Sequence, residues 1–254
     1  MESGSIVEYI DRQKIMCAVI LEVKNTRLRL LTENNREVSL SPGRIAHRSN
    51  TSLDVTQGRD RMVDMLKTLA MRRNDLRRKI DLRELWEVLN SEQEWIDLPT
   101  MTAFCFPDDP GSDHESAVVR AFFENRRYFK FNHEGFFPHS EAEVERLIAR
   151  EREEARRQHL IEIGAAWLNQ VLQGRVAEVD TAGAQDRATV ASVLSDYFIF
   201  GKDSRDAALG KAICARTGIG SSDKLFQALV QAGVMTVDEN TDLIREAIPI
   251  NFPP

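Results

Sequence analysis

The hydrophobic period of this chain changes once, near residue 59, and that change divides it into a β-rich start and a helical remainder. Before it, Ile6 to Ile10, Ile15 to Val23, Arg27 to Leu31 and Val38 to Leu40 alternate or are β-branched, the mark of strands with one buried face. Lys24-Asn25-Thr26, Asn34-Asn35 and Ser41-Pro42-Gly43 separate them with residues that tolerate left-handed or fixed backbone angles. Four or five strands in the first fifty residues predict a small SH3-like β-barrel over 1–50. In Arg27-Leu28-Arg29-Leu30 both arginines fall on the face opposite the leucines, because successive strand residues point to opposite sides.

From about Asp60 the apolar residues Met62, Met65, Leu66, Leu69 and Leu76 recur at helical spacing. Ser49 to Gly58 reads as a polar connector before that helix. Asp81 with Glu84 has capping-box spacing and opens a helix with Leu82, Leu85, Trp86 and Leu89 on its apolar face. A short helix is expected over Leu98 to Phe104. After the Pro107 to Gly111 turn, which contains Asp108 and Asp109, another runs from Ser112 to Asn125, with Ser112 and Glu115 as its capping pair. Tyr128 to Phe131 and Phe136-Phe137 flank Asn132-His133-Glu134-Gly135, a pair of short strands forming a β-wing. Residues 51–139 therefore read as a winged-helix (helix-turn-helix) domain.

Ser140 and Glu143 cap a mixed-charge helix expected to run as a solvent-facing spacer over 140–183, broken by Gly174 to Gly183. Helices around Asp186 to Tyr197, Ser204 to Arg216 and Asp223 to Ala232 follow, with Ser221 or Ser222 as the last cap. A strand over Met235 to Val237 and a turn at Asp238-Glu239-Asn240 complete a second helical, winged-helix-like module over 184–254. The fold class is α+β and mostly helical.

The chemistry-bearing residues are sparse. No nucleotide-binding glycine loop, nucleophile elbow or HExxH occurs. The five histidines, His47, His114, His133, His139 and His159, share no ligand spacing. Asp203 and Asp206 suit a helix start. Cys17, Cys105 and Cys214 are too few and too scattered for a disulfide framework or a metal knuckle and read as buried thiols. The expected catalytic and metal-ligand sets are both empty, and no cofactor is expected in this chain. No apolar run approaches a membrane span, and no export signal opens the chain, so the expected location is cytoplasmic with no membrane partner.

The net charge of −6 argues against a chain that binds nucleic acid over its whole surface, but residues 1–50 hold eight Lys or Arg against six Asp or Glu. Candidate nucleic-acid contacts are Arg27, Arg29, Arg44 and Arg48 on the barrel, Arg120 on the recognition helix, and Arg126, Arg127 and Lys130 at its end and in the wing. Tyr128 is the ring best placed to stack on a base. The basic run Arg72, Arg73, Arg77, Arg78 and Lys79 ends a helix, where positive charge offsets the negative terminus.

Two stretches resemble a known family. Gly4 to Ile10 with Arg27 to Val38 is similar to the opening barrel, and Ala121 to Lys130 with Gly135-Phe136-Phe137-Pro138 to the helix and wing, of the N-terminal, non-catalytic region of ribonuclease II (RNB) family exoribonucleases. The resemblance implies a parent enzyme that removes nucleotides hydrolytically from the 3' end of RNA, using aspartate-bound magnesium in a catalytic domain not found in this chain. No matching aspartate cluster occurs here, and Ile250-Asn251-Phe252-Pro253-Pro254 resembles the approach to that domain. The chain is then either part of a longer enzyme or a stand-alone relic. The expected partners are single-stranded RNA, bound weakly by this region alone, and the catalytic RNB domain in cis. From another class, a winged-helix DNA-binding regulator predicts duplex binding; a protein-docking scaffold predicts neither.

Overall fold

The computed structural model describes residues 1–238, 244 and 245, except 25, 93, 109, 133, 134 and 176–182. The turn residues Asn25, Asp109, His133, Glu134, Glu239 and Asn240, and the extended end 250–254, lie outside the described residues. The architecture is mixed α+β, and the chain forms two compact units, Met1–Ile148 and Ala149–Pro254.

The first unit opens with five strands, β1 (Ser5–Asp11), β2 (Lys14–Lys24), β3 (Arg27–Thr32), β4 (Glu37–Leu40) and β5 (Ile45–Ser52), in antiparallel order β4-β3-β2-β1-β5. The return of β5 to the side of β1 gives the SH3-like order, with the ladder open between β4 and β5. Of the four or five strands expected, β5 is the one without a place in the sequence: its His47-Arg48-Ser49-Asn50 centre is too polar for the alternation rule, yet it pairs Val7 with Arg48 and Glu8 with His47 and takes the first residues of the connector expected over Ser49 to Gly58. Alternation sorts the sheet into two cores. Ile6, Cys17, Val19 and Leu31 face helix α1 (Arg59–Arg77) at Met62, Val63, Leu66 and Ala70, while Val7, Ala18, Ile20, Leu28 and Leu30 pack on the other side.

The winged helix follows as α2 (Leu82–Leu89), α3 (Leu98–Cys105), α4 (Ser112–Glu124), β6 (Phe129–Asn132) and β7 (Gly135–Pro138). Asp81 caps α2 by accepting from the backbone N–H of Arg83 and Glu84. The cap of α4 differs from expectation. Gly111 is its N-cap residue, and its N–H donates to His114 Nδ1 at 3.0 Å. The Ser112 hydroxyl instead lies 3.0 Å from the Ser49 hydroxyl and accepts from the Asn50 N–H. A third edge joins the wing, for Ile96 and Phe136 exchange both backbone hydrogen bonds at 2.8 and 2.9 Å. Gly135 makes this approach possible: its φ is +132°, and a Cβ there would stand 2.2 Å from the Ile96 carbonyl oxygen. Phe122, Phe129 and Phe136 form the centre of this core, with Leu82, Leu89 and Met101 around them.

Helix α5 (Glu141–Leu172) contributes Val144 and Ile148 to the first unit. Its charged middle, residues 149–159, is exposed. Beyond them Leu160, Ile161, Leu168 and Val171 belong to the core of the second unit, with Val190, Val193 and Leu194 of α6 (Ala184–Phe200), Leu209, Ile213 and Cys214 of α7 (Ala207–Thr217), and Leu225, Ala228 and Leu229 of α8 (Ser222–Gln231). Gly218 ends α7 in the left-handed conformation, and Ser221 caps α8 by accepting from the Lys224 N–H, so α7 and α8 form a helix-turn-helix. Asp206 precedes α7 without a side-chain cap bond. Met235 to Val237 is not a strand; Met235 is buried in the helical core instead.

Candidate nucleic-acid interface

The centre of the first unit is ionic. Glu8 sits midway along β1 on the face covered by α1 and α4, and its side chain is fully buried. A lone buried carboxylate is costly unless paired and hydrogen-bonded. Arg73 of α1 donates to Glu8 Oε1 at 3.0 Å, Arg120 of α4 donates to the same oxygen at 2.6 and 3.1 Å, and the Ser116 hydroxyl donates to Oε2 at 2.6 Å. Arg73 also donates to Asp113 Oδ1 at 2.9 Å and to the Ser49 hydroxyl at 3.2 Å, and Arg120 to Asn74 Oδ1 at 2.8 Å. Burial alone would raise the Glu8 pKa, but the charges of Arg120 and Arg73 outweigh it and hold the carboxyl below its ordinary value. Desolvation lowers the pKa of the buried His47, whose Nε2 lies 3.2 Å from Glu115 Oε2.

This network fastens α4 to the sheet and to α1, and every residue from Ser116 to Phe122 is buried. The helix that would read a DNA major groove in a winged-helix regulator is therefore covered within its own unit. Arg120, expected to contact nucleic acid, is 5% exposed and committed to Glu8. Tyr128 is likewise buried, its ring 5.8 Å from that of Trp86, which removes it as a stacking platform. Arg73, expected to serve the end of its helix, is 0% exposed.

The remaining candidates lie on the surface but not in one cluster. Arg27, Arg29, Arg44 and Arg48 are exposed. β2 and β1 lie between β3, which carries Arg29, and β5, which carries Arg48. Arg29 is also flanked by Glu22 at 3.5 Å and Glu37 at 3.9 Å. Arg126 is exposed with its guanidinium 4.9 Å from the Phe123 ring centre, whereas Lys130 faces Glu143 at 3.8 Å. Arg127 is half-buried and joins a group the sequence reading left as helix-end charge. Together with Arg77, Arg78, Lys79 and Arg83 it lines a groove of about 520 Å³ between the end of α1, the start of α2 and the end of α4.

Burial raises the thiol pKa of Cys17 and Cys105 to about 12 and of Cys214 to about 11, so none is a ready nucleophile. Among the described residues no group of three or more His, Cys, Asp or Glu could hold a metal ion. No helix among the described residues is long and apolar enough to cross a membrane.

Residues 144–241, which contain the helix-turn-helix of α7 and α8, match the ribonuclease II helix-turn-helix family model, a double HTH domain. The resemblance to the N-terminal region of a ribonuclease II-family enzyme, carried by residues 4–10, 27–38, 121–130 and 135–138, is thereby supported. No curated protein matches the chain. Among solved structures it is similar to an active-site mutant of the Dss1 exoribonuclease from Candida glabrata, at 10% identity and a TM-score of 0.45. That likeness covers 96% of this chain and 37% of the Dss1 chain. The winged helix lies in the first unit, whereas α6, α7 and α8, all within the matched segment, lie in the second, each unit with its own core.

Proposed function

We propose that this chain is an RNA-engaging accessory region of a 3'-to-5' hydrolytic exoribonuclease of the ribonuclease II family, working with a magnesium-dependent RNB catalytic domain in cis in the cytoplasm. The observation that carries the reading is the match of residues 144–241 to the ribonuclease II double-HTH family model. Two features of the first unit support it. Its winged helix uses α4 for internal docking rather than for groove reading, which favours single-stranded RNA over duplex DNA. Its surface also keeps Arg27, Arg44, Arg48 and Arg126 exposed, where phosphate contacts form at modest cost.

Fluorescence-anisotropy titration of the chain against single-stranded RNA and duplex DNA of matched length, at low and physiological salt, tests the reading. Preference for RNA supports it. Preference for the duplex transfers the assignment to a DNA-binding regulator, and binding to neither leaves a protein-docking scaffold. Replacing Arg27, Arg29, Arg126 and Arg127 by alanine is expected to weaken RNA binding and flatten its salt dependence, because each lost phosphate contact no longer releases counterions.

A further inference from the structure

The groove between α1, α2 and α4 has an unusual charge for this chain. Five basic residues, Arg77, Arg78, Lys79, Arg83 and Arg127, line it against two acidic ones, Asp81 and Glu124, in a protein whose net charge is −6. The local excess arises because three separate elements converge there: the last turn of α1 and the link after it, the first turn of α2, and the segment leading from α4 into the wing. Arg77 is tied across the groove to Glu124, which leaves its guanidinium fixed on the wall. Arg78 and Arg83 pair only within their own helical neighbourhoods, with Asp75 at 3.1 Å and Glu87 at 2.9 Å, and their side chains are 70% and 72% exposed. Such exposed pairs are weak and exchange readily for a stronger anion.

We propose that this groove binds the phosphate backbone of single-stranded RNA; the assignment rests on the accessory-region reading above and gives it a site. Four of the five cations are arginines, whose planar forks match phosphate oxygens two at a time. The groove, of about 520 Å³, is open to solvent, as suits a strand that lays its backbone along a surface. None of the exposed large apolar side chains, such as Met71, Val88 and Phe104, lines the groove. A protein partner would therefore lack the apolar anchor that interfaces are built around. Base-specific contacts are not needed, since phosphate binding positions a strand without reading it.

The test replaces Arg78, Lys79 and Arg83 together by glutamine, three exposed residues outside every core and outside the Glu8 network. Single-stranded RNA is titrated into the whole chain, wild type and variant, at several salt concentrations, with thermal unfolding recorded for both. With unfolding unchanged, RNA affinity is expected to fall about tenfold at physiological salt, and the slope of log affinity against log salt to flatten by about two. If the wild type binds RNA and the variant matches it in affinity and slope, the groove assignment is overturned while the accessory reading stands. If the wild type binds a polyglutamate peptide but not RNA, both fall and the groove is a protein-docking site. Loss of RNA binding on replacing Arg27 and Arg44 with the groove intact, and none in the groove variant, likewise overturns it.

Discussion

Arg73 of α1 and Glu8 of β1 form an ion pair of 3.0 Å in which both side chains are fully buried. With Arg120 as the second cation on the same oxygen, the pair joins three elements that each belong to a different stretch of sequence. Glu8→Ala is expected to destabilise the first unit by about 3–5 kcal/mol, because it strands two buried guanidinium groups. Urea unfolding followed by Trp86 and Trp95 fluorescence measures it; a loss below about 1 kcal/mol would show that the network is dispensable.

Acidification should weaken the first unit in two stages. The folded-state pKa of His47 is lowered from an ordinary value near 6.5, chiefly by desolvation, so the folded form resists the proton that the unfolded chain accepts. Stability contributed in this way is present above that ordinary value and is lost as pH falls below it. Glu8, also lowered, adds a second loss below its ordinary value near 4.5. Glu33, raised by burial, works in the opposite sense and recovers some stability as it takes up its proton. Urea midpoints at pH 7 and pH 5.5 should therefore decline for the wild type and decline less for His47→Gln. Identical slopes for the two proteins would remove His47 from the account.

In the second unit two helical glycines separate backbone propensity from packing. A Cβ on Gly210 would lie 2.7 Å from both Cβ and Cγ of Tyr197, atoms held close to their backbone. Alanine there gains about 1 kcal/mol of helix propensity and loses about 1–3 kcal/mol to overpacking, so Gly210→Ala should lower the thermal midpoint. At Gly164 the nearest atoms are Ile213 Cδ1 at 2.9 Å and Val190 Cγ1 at 3.0 Å, methyl ends that can shift. Gly164→Ala is expected to be the milder of the two, and the reverse order in differential scanning calorimetry would contradict this packing account.

Arg120 provides a control for any RNA-binding surface. Its guanidinium is spent on Glu8 and Asn74, so Arg120→Gln should reduce stability without altering the salt slope of RNA binding, measured at a temperature where the variant remains folded. A flattened slope would mean that this arginine reaches phosphate after all.

The two periodicities were legible in the sequence because they are local. Alternation located β1 to β4 to within a residue or two, and the caps Asp81 and Ser221 marked two helix starts through contacts only two or three residues long. The same local signals misread Ser112, whose hydroxyl serves β5 rather than its own helix. A fuller reading of the helical stripe would have caught Arg73, which falls at the buried spacing set by Leu66 and Ala70, just as Glu8 interrupts an apolar strand. A charged residue on a buried stripe signals a partner, but pattern alone does not say which.

The sequence by itself determined the first four strands and the helices, the absence of known nucleotide-binding and hydrolase motifs, and the resemblance of its opening and its winged helix to ribonuclease II-family proteins. Only the tertiary structure decided which cations are available. Arg120 and Arg73 are withdrawn from solvent because β1 places Glu8 between them, 112 and 65 residues away along the chain. Arg78, Lys79, Arg83 and Arg127 gather into a groove because α1, α2 and α4 converge there. Charge in a sequence is a property of single residues, whereas its exposure and its neighbours are set by contacts between distant segments, and those form only when the chain has folded.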